Sequence, residues 1–350
     1  MKRIVFLDWL RIFSFTSVLI GHKFYATLFT LSQDESVHDS LKFVVKLFLP
    51  FCFAGGAGVV VFFLVSGYVI THVLQNEEPL TFFFKRVFRI YPLYICAVLL
   101  QYKLLHIPMT AHVLIPQLLL IGDFFDTPYT LNGVEWTLRV EILFYGLMFI
   151  LRSLSLVGTK EYVLALILTL ITLLLRFSPQ LPGELFPNHG YLNIYGPFLF
   201  VGVFFWLYEN KKIPLAMLGV FVSFVFIQHW ILIDTILPAW RTVHFAGLAF
   251  LLFVALWSLR ERLYFNGLIL FLSELTYPVY LFHNWLFDYI KQWSFADGIF
   301  HHNRYALIML FTISALAVKL IEKPGVRLGN QLIKYIRHNA RALKLVADTY

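Results

Sequence analysis

A chain of 350 residues that is 59% hydrophobic and 14% charged is not a soluble globular domain, where about 25% of residues are charged. Its net charge of +8 would suit nucleic acid, but the basic residues sit in short loops between apolar runs and in the tail, so no nucleic-acid partner is expected. Lipid is the remaining solvent: each span needs roughly 20 apolar residues, and runs this long satisfy their backbone in lipid only as helices. The expected fold is an all-α, polytopic transmembrane helix bundle.

In chain order, Met1-Lys2-Arg3 opens like a signal peptide. Asp8 and Arg11 break the following apolar run and no small-residue cleavage site follows, so the segment reads as a retained first span. About ten spans are predicted, at 4–30, 43–73, 90–106, 135–151, 161–177, 193–208, 213–232, 242–258, 267–290 and 305–321. The second is long and is expected to break near Gly55, Gly56 and Gly58. Between the third and fourth, Leu114 to Ile121 is apolar but too short to cross, so it reads as interfacial or re-entrant. Cys52 and Cys96 fall in different spans at opposite expected depths, which gives them no disulfide and no metal cluster.

Orientation follows from the loops. Lys85, Arg86, Arg89, Arg152, Lys160, Lys211, Lys212, Arg260, Arg262 and the tail residues Lys323, Arg327, Lys334, Arg337, Arg341 and Lys344 fall on one side. The other side holds Asp34, Glu35, Asp123 and Asp126. That asymmetry puts both termini in the cytoplasm. The chain divides into a transmembrane unit, 1–324, and a basic amphipathic tail, 325–350, expected to rest on anionic lipid. No internal repeat supports a repeat-built transporter.

Ionisable groups within spans cost about 2.5–3.5 kcal/mol each on insertion scales, so each needs a reason. Arg11 and His22 are eleven residues apart, close to three whole turns, which places both on one face about 16 Å apart along the axis. Taken blandly, Arg11 is an i,i+3 partner of Asp8 and His22 a hydrogen-bonded buried histidine. The fourth span enters from outside and carries Glu141, read at a depth similar to His22; the ninth runs the other way and brings Tyr277, Tyr280 and His283 toward its outer end. Two histidines and a carboxylate there suit proton transfer; the bland alternative is a polar plug that fixes helix packing. Zinc is not expected, because these residues lack close ligand spacing. At the cytoplasmic end of the third span, Arg86 and Arg89 share a helical face and with Lys85 concentrate positive charge for a polyanion such as nucleotide phosphates. Ordinary topology anchoring would leave the same residues there.

Taken together, these segments resemble membrane acyltransferase family 3, the OafA-like acyltransferases. FLDWLRIFSFTSVLIGH resembles the family's Arg-x10-His signature through Arg11 and His22, and GVVVFFLVSGYVI its Phe-Phe-x-x-Ser-Gly segment through Phe62, Phe63, Ser66 and Gly67. RVFRIYPLY is similar to its Arg-x-x-Arg motif through Arg86 and Arg89, and WTLRVEILFY to its Trp-Ser-x-x-x-Glu-x-x-Phe-Tyr stretch through Trp136, Glu141, Phe144 and Tyr145. LTYPVYLFHNWLF resembles its penultimate span and IEKP the end of its last. The segments occur in family order from residue 7 to 324. Two positions depart from the pattern: Val60 stands where the family often has an acid, and Arg139 where the residue is usually small and polar.

The resemblance implies transfer of an acyl group, most often acetyl from acetyl-CoA, to a hydroxyl of a cell-envelope or surface polysaccharide sugar by a multi-pass protein of the plasma (inner) membrane. A fused extracytoplasmic domain, present in some members, is not expected. Under that reading Arg86, Arg89 and Arg11 hold the phosphates of acyl-CoA, and the pantetheine arm rises toward His22. His22 serves either as general base or as covalent acyl carrier. Glu141 orients or charges its imidazole, and Tyr277, Tyr280 and His283 line the acceptor end, where a carbohydrate or lipid-linked glycan binds. The rival readings are a transporter or flippase of a lipid-linked sugar, and a membrane scaffold.

Overall fold

The computed structural model describes residues 3–183, 189–241, 243–292 and 303–347, with side chains through Asn339. The tail charges Arg341 and Lys344 therefore lie outside the described side chains. Among the described residues every regular element is helical. The helices are α1 Val5–Lys23, α2 Tyr25–Gln33, α3 Asp39–Cys52, α4 Gly56–Leu74, α5 Pro79–Leu104, α6 Ala111–Leu118, α7 Trp136–Ser153 and α8 Glu161–Phe177. They continue with α9 Tyr191–Glu209, α10 Leu215–Ile236, α11 Phe245–Ser258, α12 Gly267–Glu274, α13 Thr276–Phe282, α14 Trp285–Gln292, α15 Asn303–Ala317 and α16 Lys323–Ala347. Five stretches are long and apolar enough to cross a membrane: Val5–Lys23, Asp39–Leu74, Tyr191–Glu209, Leu215–Ile236 and Asn303–Asn339. The last continues from α15 through a π-helical turn at Val318–Glu322 into α16.

The predicted runs and the observed helices differ mainly at breaks. The first run ends as a helix at Lys23, and α2 restarts after Phe24, whose backbone leaves the helical region. The second breaks at a 3-10 turn, Phe53–Gly55, in which Ala54 and Gly55 take positive φ of 46° and 71°. The cause is α1: a Cβ on Gly21 would lie 2.4 Å from Cys52 O and from Gly55 N, so the two backbones meet there and only glycine fits. The ninth run splits into α12, α13 and α14, with His283 at the second break. Leu114 to Ile121 contributes the short helix α6. Both cysteines are free thiols.

Helix α1 runs between two apolar cores and packs against α3, α4, α11, α12 and α13. One core is built on α4, α9, α10 and α11 around Val60, Phe63, Phe198, Phe204 and Phe253. The other is built on α5, α13, α14 and α15 around Leu93, Tyr94, Val279, Trp285 and Leu310. Helix α9 is apolar on all sides and almost wholly buried, as such a helix must be. It crosses α4 at backbone contact: a Cβ on Gly67 would meet Leu199 O at 1.8 Å, and one on Gly202 would meet Leu64 O at 2.2 Å. Small residues at such crossings give the van der Waals contact that replaces the hydrophobic effect in lipid. The tail helix α16 does not stand alone: Gly325 and Gly329 lie against Phe88 and Pro92 of α5, and Arg337 bonds Glu78 at 2.9 Å and Thr81 at 3.0 Å.

Candidate active site

The ionisable residues of α1 divide between its two ends. At the N-terminal end Asp8 is buried and accepts from Arg3 at 2.6 and 2.9 Å, from Ser273 at 2.7 Å and from Arg11 at 3.5 Å. Asp8 is thus committed chiefly to Arg3 and Ser273, and Arg11 keeps most of its hydrogen-bonding capacity. Arg11 faces a cavity of about 260 Å³ that Arg86, Arg89, Ser66, Glu141, Tyr145 and Tyr277 also line. Arg86 and Arg89 reach it from one face of α5, as their i,i+3 spacing requires. Neither has a carboxylate partner within 4 Å among the described residues, and the Arg86 Nε–H is buried with no acceptor. Lys85 turns the other way, onto Glu77. A second cavity of about 340 Å³ shares Arg11, Arg89, Val69, Ser273 and Glu274 with the first, and adds Arg3, His72, Glu322 and Lys323. The two form one cleft that opens at the N-terminal end of α1.

Glu141 belongs to this cationic cavity. Its Oε1 accepts from Ser66 Oγ at 2.7 Å and from the Tyr145 hydroxyl at 2.5 Å. This corrects the expectation that Glu141 sits at the depth of His22 and orients its ring. Trp136, the first residue of α7, already lines the cavity of His22, so Glu141, five residues on, lies about 7.5 Å further along the axis. Tyr277 is corrected in the same way: it lines the arginine cavity and donates to Ile90 O at 2.8 Å rather than facing the acceptor end.

At the C-terminal end of α1, His22 lines a separate cavity of about 190 Å³ with Ala54, Asn132, Gly133, Trp136, Tyr191, Tyr195, Trp240 and Tyr280. Tyr280 donates to Val134 O at 2.9 Å and lies 2.7 Å from Thr137 Oγ1. His283 is buried behind His22, with its Nε2 3.2 Å from His22 Nδ1. Trp136, Tyr191 and Tyr195 make an aromatic wall, with ring centroids 4.4 to 5.4 Å apart. Between the two cavities a neck of about 20 Å³ is bounded by Ser14, Val18, Phe62, Thr276, Tyr277 and Tyr280, room for about one water. Phe62 and Tyr280 lie parallel across it at 6.2 Å.

Sequence reasoning did not assign roles to Ser66 and Tyr145, the two hydroxyls that hold Glu141. Both fall inside motifs it quoted, and Tyr145 lies one turn from Glu141. Arg139, which departs from the family pattern, is a further case. That side chain is buried, bonds Glu135 and, at 2.5 Å, Asp123, and lies 4.3 Å over the ring of Tyr129. Burial, with Asp123 beside it, pushes the Tyr129 hydroxyl above its ordinary range, so it remains a donor to Asp123 at 3.0 Å. The signal was available as Glu135 at i−4 of Arg139. The cluster holds the 119–135 segment, whose Asn132 and Gly133 border the His22 cavity.

Among the described residues, no three His, Cys, Asp or Glu side chains are grouped as metal ligands. No curated protein and no solved structure matches the chain. A family described as an acyltransferase domain matches residues 4–321, which includes the lining of the 260 Å³ arginine cavity, of the His22 cavity and of the neck between them. With that match spanning most of its length, the chain belongs to membrane acyltransferase family 3 and is a multi-pass membrane acyltransferase.

Proposed function

We propose that this protein transfers an acyl group, most simply acetyl, from cytoplasmic acyl-CoA to a hydroxyl of a cell-envelope sugar across the plasma (inner) membrane. The observation that carries the reading is what lies at the two ends of α1: a cavity lined by three arginines, two of them without a carboxylate within 4 Å among the described residues, at one end, a histidine in an aromatic-walled cavity at the other, and a narrow neck between. Phosphates suit the first, because Arg86 Nε and the guanidinium of Arg89 have donors to give. Arg3, His72 and Lys323 extend the same cleft toward the N-terminal end of α1, where the nucleotide end of the donor would lie. A sugar suits the second, where its apolar ring face rests on Trp136, Tyr191 and Tyr195.

In this reading the donor's pantetheine arm crosses the neck once the rings of Phe62 and Tyr280 part. His22 takes the proton of the acceptor hydroxyl as its oxygen attacks the thioester carbonyl. The carbon–sulfur bond breaks, and the imidazolium returns the proton to the CoA thiolate, leaving ester and free thiol. Glu141, held by Ser66 and Tyr145, contributes one negative charge near three arginines and so tempers how tightly product CoA is retained. A flippase would need the neck to open to the width of a whole sugar, whereas acyl transfer needs it to open only to the width of the pantetheine arm.

The test is acyl-CoA binding and transfer on purified variants. Arg86→Ala and Arg89→Ala are each expected to weaken acyl-CoA binding about ten- to hundredfold, from the roughly 1.5–3 kcal/mol of a hydrogen bond to a charged group. His22→Ala is expected to retain donor binding and lose turnover by about 10²–10⁴-fold or more. An active His22→Ala protein, or arginine variants that bind the donor as wild type does, would overturn the reading. Mass analysis of envelope glycans with and without the protein identifies the acceptor.

A further inference from the structure

His22 and His283 meet through defined atoms. His283 Nδ1 lies 2.7 Å from Tyr280 O, and His283 Nε2 lies 3.2 Å from His22 Nδ1. A carbonyl oxygen only accepts, so His283 Nδ1 carries a proton. In the neutral ring its Nε2 is then an acceptor, and the neutral His22 ring must supply the hydrogen from Nδ1. The His22 ring also has the Ala54 carbonyl beside it as a hydrogen-bond partner; with the Nδ1–H given to His283, the lone pair of His22 is on Nε2. The break between α13 and α14 makes the arrangement possible, since His283 stands there as the C-terminal cap of α13. Its ring is 1% exposed and held in place, with Tyr280 5.7 Å away between ring centroids and His22 5.0 Å away.

We infer that His283 is the positioning residue that selects the tautomer of His22: the carbonyl of Tyr280 fixes His283, and His283 fixes His22 with its lone pair on Nε2, the nitrogen that acts as base. The proposal rests on the reading of His22 as the proton acceptor. It gives His283 the part that a carboxylate or carbonyl plays beside other catalytic and metal-bound histidines, where the partner of one ring nitrogen decides the state of the other. The same Tyr280 residue borders the cavity through its ring, so acceptor seat and base are tied through one residue. Without an acceptor at the position of His283 Nε2, the Nδ1–H tautomer of His22 loses its preference, and part of the population presents N–H instead of a lone pair to the substrate.

Two amide substitutions separate this from a packing role. Gln in place of His283 carries its amide at about the reach of Nε2 and can accept from His22. Asn keeps a polar group near Tyr280 O but is too short to reach His22. His283→Asn is therefore expected to lower kcat about 10–100-fold, the usual effect of removing such a partner, with KM for acyl-CoA changed less than twofold. His283→Gln is expected to stay within about fivefold of wild-type kcat. Equal kcat for the two variants, or a loss in Asn that follows its fall in melting temperature, would overturn the inference. His22→Ala measured beside them keeps the two claims apart. If it is inactive while His283→Asn turns over normally, only the positioning role fails; if it is active, the reading of His22 as base fails as well.

Discussion

Arg139 shows what a single buried charge does in this protein. Its guanidinium is 1% exposed and is paired with Glu135 at i−4 and with Asp123 across the loop, while Tyr129 covers its face. Buried pairs of this kind add little net stability over apolar packing, yet removing one partner strands the others at a cost of about 3–5 kcal/mol. Arg139→Leu is therefore expected to lower the melting temperature substantially and to raise the KM for the acceptor, because Asn132 and Gly133 lose their support beside His22. Donor affinity should hold within about twofold, since the arginine cavity lies on the other side of the neck. A variant that melts like wild type would show that the cluster is dispensable. Gln101 supports the same loop from α5, accepting from Leu131 N–H at 2.7 Å. At this scale the sequence was legible where spacing along one helix decided the matter: Arg11 with His22, and Arg86 with Arg89. It was not legible for Glu141, whose depth depends on where α7 starts relative to α1, a relation between two helices that no periodicity contains.

Among the elements, the predicted runs match helices α7 to α11 closely at their centres, because long apolar stretches leave the backbone no alternative in lipid. The breaks were harder to read. Gly55 and Gly56 marked the turn before α4, but the reason for it lies in Gly21 of α1, 34 residues earlier in the chain. The division of α12, α13 and α14 carries no glycine or proline at the break by His283, so no local signal announced it. The start of α5 at Pro79, well before the predicted span at 90, follows Glu78 in extended backbone and a proline at the first helical position. The expected sidedness is directly testable on these elements. Reporters fused at Lys211, between α9 and α10, and after Tyr350 should read cytoplasmic, whereas reporters at Asp34, between α2 and α3, and at Asp234 near the end of α10 should read extracytoplasmic. A cytoplasmic signal at Asp34 would exchange the donor and acceptor sides.

For the whole molecule, the decisive feature is that α1 joins two cavities that the rest of the bundle keeps apart. The two apolar cores close around α1 between Arg11 and His22, with the neck beside Phe62 and Tyr280. On the proposed reading, a neck that admits about one water would keep the donor thioester from bulk water on the acceptor side, and the two ring positions would control transfer. Phe62→Trp places a larger ring in a space of about 20 Å³, next to the parallel ring of Tyr280. On the proposal that the donor's phosphates bind at the arginines, acyl-CoA affinity is expected to stay within about threefold of wild type. Transfer should fall by at least about tenfold, since the thioester no longer reaches His22; each tenfold in rate corresponds to about 1.4 kcal/mol in the barrier. Phe62→Leu, which opens the same space, serves as the paired control and is expected to keep turnover while admitting water, seen as release of free CoA without acylated acceptor. If Phe62→Trp transfers normally, the acyl group takes a route other than this neck. If it loses donor binding and turnover together, the ring shapes the arginine cavity and does not control passage.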